Sequence, residues 1–138
     1  MVNIKFGTDG WRAIIANDYT VENVKRVSEA VAHWMLQKEM SKVVVGYDCR
    51  FGGLMFAETA ARVFGNFSIK VCLDKQFVST PMVSLGVVEL EADLGVVITA
   101  SHNPPSYNGY KLKSAFGGPT IPSDIADIEA IIPDDCLG

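Results

Sequence analysis

Segments with helical periodicity alternate along this chain with short apolar runs that are rich in β-branched residues. Periodic apolar positions and capping residues predict helices over residues 20–40, 54–64, 80–91 and 123–132. The short apolar runs predict strands over residues 42–47, 69–73, 94–99 and 110–113. This order predicts βαβ units with right-handed crossovers. We therefore expect a three-layer α/β/α fold with a mixed, mainly parallel four-stranded sheet and an antiparallel last strand.

Capping residues mark the ends of the predicted helices. Thr20 is a candidate N-cap with Glu22 in the first turn, and Thr80 is a candidate N-cap followed by Pro81. Ser123 is expected to cap the last helix. Apolar residues spaced along the first two helices predict their buried faces: Val24, Val27, Val31, Trp34 and Met35, then Ala57, Ala60, Ala61 and Phe64, with Gly65 and Asn66 ending the second helix.

The bulk properties are those of one folded domain. The chain has 138 residues, of which 49% are hydrophobic and 20% are charged, as is typical of a packed globular protein. A net charge of −4 argues against nucleic acid as the main partner, because the chain has no net basic field. No apolar run is long enough to span a membrane, and the N-terminus lacks the pattern of a secretory signal.

The cysteines and histidines predict neither a disulfide framework nor a metal cluster. Cys49, Cys72 and Cys136 are odd in number and widely spaced, which indicates reduced thiols in a cytoplasmic protein. His33 and His102 are the only histidines, so a His-rich metal site is excluded.

The segment over residues 99–111 is the candidate functional loop. It follows the most apolar predicted strand, and ligands collect beyond the C-terminal ends of strands in such sheets. Prolines prevent the strand from continuing, and Asn108-Gly109 predicts a turn. The loop therefore presents Ser101 and His102 at an exposed polar edge, followed by a strand that carries Lys111.

Three interpretations of this loop are open from the residues alone. It could be a surface turn without chemistry. A serine hydrolase is disfavoured, because successive residues seldom act as nucleophile and base and no G-x-S-x-G elbow surrounds Ser101. Phosphoryl chemistry fits better, since a phosphoserine needs cationic and N–H partners and Lys111 could supply one.

Four motifs then resemble those of the α-D-phosphohexomutases, the family of phosphoglucomutase and phosphomannomutase. Residues 99–104, Thr-Ala-Ser-His-Asn-Pro, resemble the family's phosphoserine signature. Residues 6–12 resemble its N-terminal loop, residues 46–50 its Asp-x-Arg turn, and residues 108–111 the segment that brings a lysine to the serine. The motifs occur in the family's order across nearly the whole chain.

The resemblance implies an intramolecular phosphotransferase, an isomerase of carbohydrate metabolism that interconverts sugar 1-phosphates and 6-phosphates through a bisphosphate. Ser101 would carry the phosphoryl group and, through it, ligate Mg²⁺. Lys111 and Arg12 would stabilise the phosphoryl group or move protons, and His102 would assist at the sugar hydroxyl. Arg50 with Asp48 is expected to form a structural ion pair.

Residues 1–138 would then form a single domain, domain I, as a fragment of a multidomain mutase. The family's magnesium loop, sugar-binding loop and C-terminal phosphate loop do not occur in this sequence. The resemblance therefore implies that the remaining mutase domains are partners in the full-length chain and that this chain alone is inactive. The alternative is a stand-alone, non-catalytic module that binds a phosphorylated ligand. The hexose and the oligomeric state are not readable from the sequence.

The N-terminal loop carries two glycines, Gly7 and Gly10. We expect both to adopt special backbone angles that let this loop approach the serine loop.

Overall fold

A computed structural model describes residues 2–7 and 10–135. The strands are β1 (Trp11–Ile14), β2 (Lys42–Tyr47), β3 (Lys70–Leu73), β4 (Leu94–Ile98) and β5 (Tyr107–Ser114). The helices are α1 (Val21–Gln37), α2 (Gly53–Asn66), α3 (Thr80–Glu89) and α4 (Pro122–Ala130). The predicted α/β class is confirmed.

The strands form one mixed sheet in the order β1-β5-β4-β2-β3. β2 pairs in parallel with both β3 and β4. β5 runs antiparallel to β4 on one side and to β1 on the other. The predicted reversal between the strand before the serine loop and the strand carrying Lys111 is therefore confirmed.

Helices cover both faces of the sheet. Alternate residues of β2 and β4 point to opposite sides, so the strands bury side chains on both faces. Val45 and Val96 belong to the larger core cluster, which also contains the buried faces of α1 and α2 and Ile128 of α4. On the other face, α3 closes a smaller valine-rich cluster formed by Val44, Val78, Val83, Val87, Ala92 and Val97. The predicted three layers follow from these two clusters.

The helix ends differ in detail from the capping predictions. Thr20 caps α1 as predicted, accepting a hydrogen bond from the Asn23 amide at 3.2 Å. The N-cap of α3 is Ser79 rather than Thr80, because the Ser79 hydroxyl accepts from the Met82 amide. Ser123 does not cap α4, which starts at Pro122 without a side-chain cap. Proline suits this position because its ring presets a helical φ.

The buried faces of α1 and α2 largely match the predictions. All five apolar residues predicted for α1 are buried, as are Ala57, Ala60 and Phe64 of α2. Ala61 is only half-buried, and Val63 is buried in the same turn. α2 continues through Asn66 and is followed by the C-cap Phe67, so Gly65 lies inside the helix.

β1 is a fifth strand, beyond the four that the sequence predicts. Its four residues are too few to show a period-2 pattern, and it begins within residues 6–12, the segment interpreted as the N-terminal loop. Pairing with β5, about a hundred residues away in the chain, supplies its backbone hydrogen bonds. Gly10 enters this strand with φ +94°, as expected of a glycine-dependent turn, but Gly7 does not adopt a left-handed φ and that expectation is wrong.

Asn108-Gly109, predicted as a turn, lies inside β5, so that prediction is wrong. The reversal occurs earlier, in residues 99–106. Gly109 is needed instead for close approach, because a Cβ there would collide with the Thr99 carbonyl oxygen and lie 2.9 Å from that of Trp11. The absence of a Cβ atom at Gly109 therefore allows β5 to approach both β1 and the residue that follows β4.

Among the residues that the structure describes, no helix combines the length and apolar character that crossing a bilayer requires.

We predict that Gly109→Ala lowers the free energy of unfolding by about 1–3 kcal/mol or more, because the added methyl group meets backbone atoms that cannot rotate away. Gly65→Ala is the matched control: its Cβ meets nothing within 4 Å, and alanine favours a helix interior by up to about 1 kcal/mol. Urea denaturation measures both changes. Equal changes for the two variants would contradict the close approach at Gly109.

Candidate functional site

The candidate site lies where β2 and β4 end side by side. Parallel strands that are neighbours in a sheet bring the loops after their C-terminal ends together. The loop after β2 carries Asp48 and Arg50, and the loop after β4, residues 99–106, carries Ser101. We call residues 99–106 the Ser101 loop.

Ser101 and Lys111 are in direct contact. The Lys111 ammonium donates a hydrogen bond of 2.8 Å to the Ser101 hydroxyl oxygen. Lys111 is 7% exposed, whereas Ser101 is half-buried at the edge of the sheet. A buried ammonium requires polar partners, and here one of them is the hydroxyl predicted to carry the phosphoryl group. The predicted proximity of these two residues is present in the fold.

Arg12 reaches the same loop from β1. Its Nη1 donates to the Asn103 side-chain oxygen at 2.6 Å. Arg12 pairs with Gly109 across β1 and β5, which brings its side chain to the level of the loop. His102 follows Ser101 and is exposed. The structure therefore brings Arg12, Lys111 and Ser101 together around one loop, with His102 at its outer surface.

Asp48 ties the two loops to each other. Its Oδ2 accepts from the Thr99 hydroxyl at 2.5 Å and lies 3.7 Å from Arg50 Nε. Thr99 Oγ1 in turn accepts from the Ser101 amide at 3.1 Å. The predicted Asp48–Arg50 ion pair is present, and it also connects to the backbone of the serine.

The Arg50 guanidinium binds the Ser101 loop and the start of β5 at four backbone carbonyls. Nη2 donates to the carbonyl oxygens of Ser101 and Asn103 at 2.8 and 2.6 Å. Nη1 donates to those of Pro104 and Tyr107 at 2.7 and 3.0 Å. The amino-acid sequence alone does not predict these bonds. The signal available for them was a charged residue at the end of a strand adjacent to the serine-bearing strand.

Two buried tyrosines lie beneath the site. The Tyr19 hydroxyl donates to the Gly109 carbonyl at 2.7 Å, and Tyr110 shares a hydrogen bond with Ser28. Burial raises the pKa of Tyr19 well above its usual value, and electrostatic interactions with Tyr110 and Asp48 raise it further. Burial likewise raises the pKa of Tyr110. Both phenols therefore stay protonated at neutral pH, and Tyr19 remains a donor to the strand that carries Lys111.

Comparisons with known proteins identify the family of this fold and site. Residues 3–136 match the family described as phosphoglucomutase/phosphomannomutase, alpha/beta/alpha domain I. The chain is 38% identical over 127 residues to phosphoribomutase of Saccharomyces cerevisiae, covering 86% of this chain and 20% of the relative. It is 37% identical over 139 residues to phosphoglucosamine mutase of Pelotomaculum thermopropionicum, covering 99% of this chain and 31% of the relative.

A solved structure agrees. The structure described as a "putative phosphomannomutase" from Thermus thermophilus superimposes with a TM-score of 0.96 at 39% identity, covering 98% of this chain and 31% of that chain. The fold and the matched residues define a phosphohexomutase domain. The chain belongs to the phosphoglucomutase/phosphomannomutase family and corresponds to its α/β/α domain I.

The chain spans between about a fifth and a third of the length of these relatives. The relatives are mutases of carbohydrate metabolism, and their names specify different sugars: ribose, glucosamine and mannose. The comparisons therefore do not single out one sugar.

We predict that Asp48→Ala lowers the free energy of unfolding by about 1–3 kcal/mol. The Thr99 hydroxyl loses its acceptor, and the Arg50 guanidinium, whose side chain is 13% exposed, loses its carboxylate. Glu58→Ala is the control, because it removes the acid of an exposed ion pair with Arg62 and is expected to change stability by less than about 0.5 kcal/mol. Urea denaturation compares the two, and a similar small change for both would contradict a structural role for Asp48.

Proposed function

We propose that this chain is the phosphoryl-carrying domain I of a larger cytoplasmic phosphohexomutase. The complete enzyme interconverts sugar 1-phosphates and 6-phosphates through a phosphorylated Ser101 and a bisphosphate intermediate. The observation that carries the proposal is the 2.8 Å contact between the Lys111 ammonium and the Ser101 hydroxyl in a loop at the ligand-binding edge of the sheet. Family membership over residues 3–136 supports it.

Lys111 contacts the oxygen on which transfer depends. When phosphoserine donates, the bond between phosphorus and Ser101 Oγ breaks, a bond between phosphorus and the sugar oxygen forms, and the sugar hydroxyl loses its proton. Negative charge develops on Oγ, where the Lys111 ammonium stabilises it or protonates it. In the return step, Oγ loses its proton and attacks the other phosphate of the bisphosphate; the bond between that phosphorus and its sugar oxygen breaks, and the sugar oxygen takes up a proton. Such transfer depends mainly on positioning and charge neutralisation.

Arg12 and His102 have secondary roles in the proposal. Arg12 contacts the Ser101 loop through its hydrogen bond to Asn103, and in the proposal it neutralises charge on the phosphoryl oxygens. His102 is exposed beside the serine, where it can exchange a proton with the hydroxyl of an arriving sugar.

The described residues fit a magnesium site only in part. The family typically uses Mg²⁺, a cation that prefers oxygen ligands and often binds substrate or enzyme phosphate. A phosphate on Ser101 would offer such an oxygen. No group of three or more His, Cys, Asp or Glu side chains able to hold a metal occurs within residues 2–7 and 10–135. In the proposal, a phosphate on Ser101 would hold the cation together with ligands from a further domain, and the bound cation would supply charge neutralisation at the transferring group.

We predict that the isolated 138-residue chain does not interconvert glucose 1-phosphate and glucose 6-phosphate, with or without Mg²⁺. In the proposal, the sugar-binding and metal-binding loops belong to other domains. A coupled dehydrogenase assay on the purified chain measures this. Turnover by the chain alone would contradict the proposed division of labour.

In the complete protein, we predict that Ser101→Ala abolishes mutase activity, because it removes the oxygen that holds the phosphoryl group. Lys111→Ala is expected to lower the rate by about 10- to 100-fold, the equivalent of one charge-assisted hydrogen bond of about 1.5–3 kcal/mol. Arg12→Ala should also be severe. Initial rates and mass spectrometry of the phosphoserine measure these effects.

Arg62→Ala serves as the control. Arg62 lies on α2, far from the site, and the variant should retain normal rates. Near-normal turnover by Ser101→Ala with an intact melting curve would refute the phosphoserine mechanism. Binding of a phosphorylated ligand without turnover by the complete wild-type protein would instead support the non-catalytic module.

A further inference from the structure

Ser101 occupies an unusual backbone conformation. Its φ is +50°, in the left-handed region that residues with a Cβ atom seldom adopt. Such a conformation persists only where the surrounding structure enforces it. The contacts of the Ser101 backbone therefore show what enforces it.

Both peptide groups of Ser101 are held, and both restraints lead to the loop after β2. The Ser101 amide donates to Thr99 Oγ1, whose own proton goes to Asp48. The Ser101 carbonyl accepts from Arg50 Nη2, and the Nε of the same guanidinium lies beside Asp48. The amide and the carbonyl of Ser101 are thus both held by the loop after β2: the amide by Asp48 through Thr99, and the carbonyl by Arg50.

The remaining Arg50 bonds restrain the backbone of the rest of the Ser101 loop. The same Nη2 that binds the Ser101 carbonyl also binds that of Asn103, and Nη1 binds those of Pro104 and Tyr107. These carbonyls span the Ser101 loop and the first residue of β5. A planar guanidinium has five donors in a fixed fork, whereas a lysine ammonium has three donors and no fork.

We propose that Arg50 is a positioning residue: it holds Ser101 in its left-handed conformation and so keeps the hydroxyl against Lys111. The role goes beyond the Asp48 ion pair, since the guanidinium bonds to the backbone of the nucleophile itself. Its importance for transfer rests on the proposed function, whereas the conformational role does not.

A cycle of substitutions in the 138-residue chain tests the conformational role. Glycine tolerates a positive φ and alanine does not, so Ser101→Gly should melt about 2–4 °C higher than Ser101→Ala. The same pair is then compared in an Arg50→Lys background. If Arg50 enforces the left-handed conformation, residue 101 of the alanine variant can leave it in the Arg50→Lys background. The difference in melting temperature between the glycine and alanine variants then falls below about 1 °C or reverses.

Ser68 provides a matched control within the same chain. It is an exposed serine with φ +61°, following the end of α2. Ser68→Gly and Ser68→Ala should differ by a similar amount, and Arg50→Lys should leave that difference unchanged. The control separates a specific release of Ser101 from a general loosening of the fold. If Arg50→Lys gives no cooperative melt, the cycle is run in Arg50→Gln, which removes the charge and the guanidinium fork and leaves at most two donors.

Kinetics of the complete protein test the consequence for transfer. Arg50→Lys should lower kcat by about 10- to 100-fold, since a small misplacement of a reacting group costs this much. KM should change by less than about threefold, because Arg50 acts on the nucleophile loop and, in the proposal, the sugar is bound elsewhere.

The melting cycle tests the positioning role of Arg50, and the activity of the complete protein tests the proposed function. An unchanged difference between the glycine and alanine variants at position 101 in Arg50→Lys would overturn the positioning role. Equal loss of that difference at positions 101 and 68 would also overturn it. Absence of mutase activity in the complete wild-type protein would refute the proposed function, and the melting cycle would still decide the role of Arg50.

Discussion

The Ser101 loop turns back on itself at the edge of the sheet and directs its carbonyl oxygens toward the neighbouring loop. One guanidinium, that of Arg50, donates hydrogen bonds to these carbonyl oxygens at four residues. This works only because β2 and β4 are parallel neighbours, so that their C-terminal ends lie side by side. The buried valines of these strands fix that pairing, and the geometry of the candidate site depends on it.

The same constraint explains why Lys111 meets Ser101. β5 returns antiparallel to β4, with Val97 opposite Lys111. Alternation along β5 buries Tyr110 and Leu112 in the main core and turns Lys111 to the other side. The register that satisfies the core is therefore the register that places the ammonium at the hydroxyl. A slip by one residue would exchange Lys111 for a core residue.

The alternation of apolar runs and helical segments was enough to predict the layers and the parallel core strands, because each signal lies within a few neighbouring residues. The antiparallel direction of β5 was predicted from a turn at Asn108-Gly109; the direction is confirmed, but the turn lies earlier in the chain. β1 could not be found in this way, since its hydrogen bonds come from β5 and its four residues carry no pattern of their own. Asn108-Gly109 misled for a related reason. The pair favours a turn locally, but Gly109 is used for an approach between strands that only the assembled sheet creates. The Arg50 bonds were equally hidden, since an Asp-x-Arg sequence does not reveal which carbonyls will face the guanidinium.

The strained backbone conformation of Ser101, the candidate nucleophile, affects where its hydroxyl lies. A serine in the left-handed region departs from the direction in which β4 would continue, and it thereby moves its hydroxyl to the side where Lys111 emerges from β5. The favourable terms that offset this strain come from the Arg50 bonds and from the Thr99 hydroxyl, which are independent of any phosphoryl group. In the proposed mechanism, Ser101 is therefore oriented before substrate arrives, and the backbone does not need to reorganise during transfer. In that proposal, the Ser101 oxygen keeps its position and its neighbour Lys111 in both steps, so the same oxygen can receive and give up the phosphoryl group in turn.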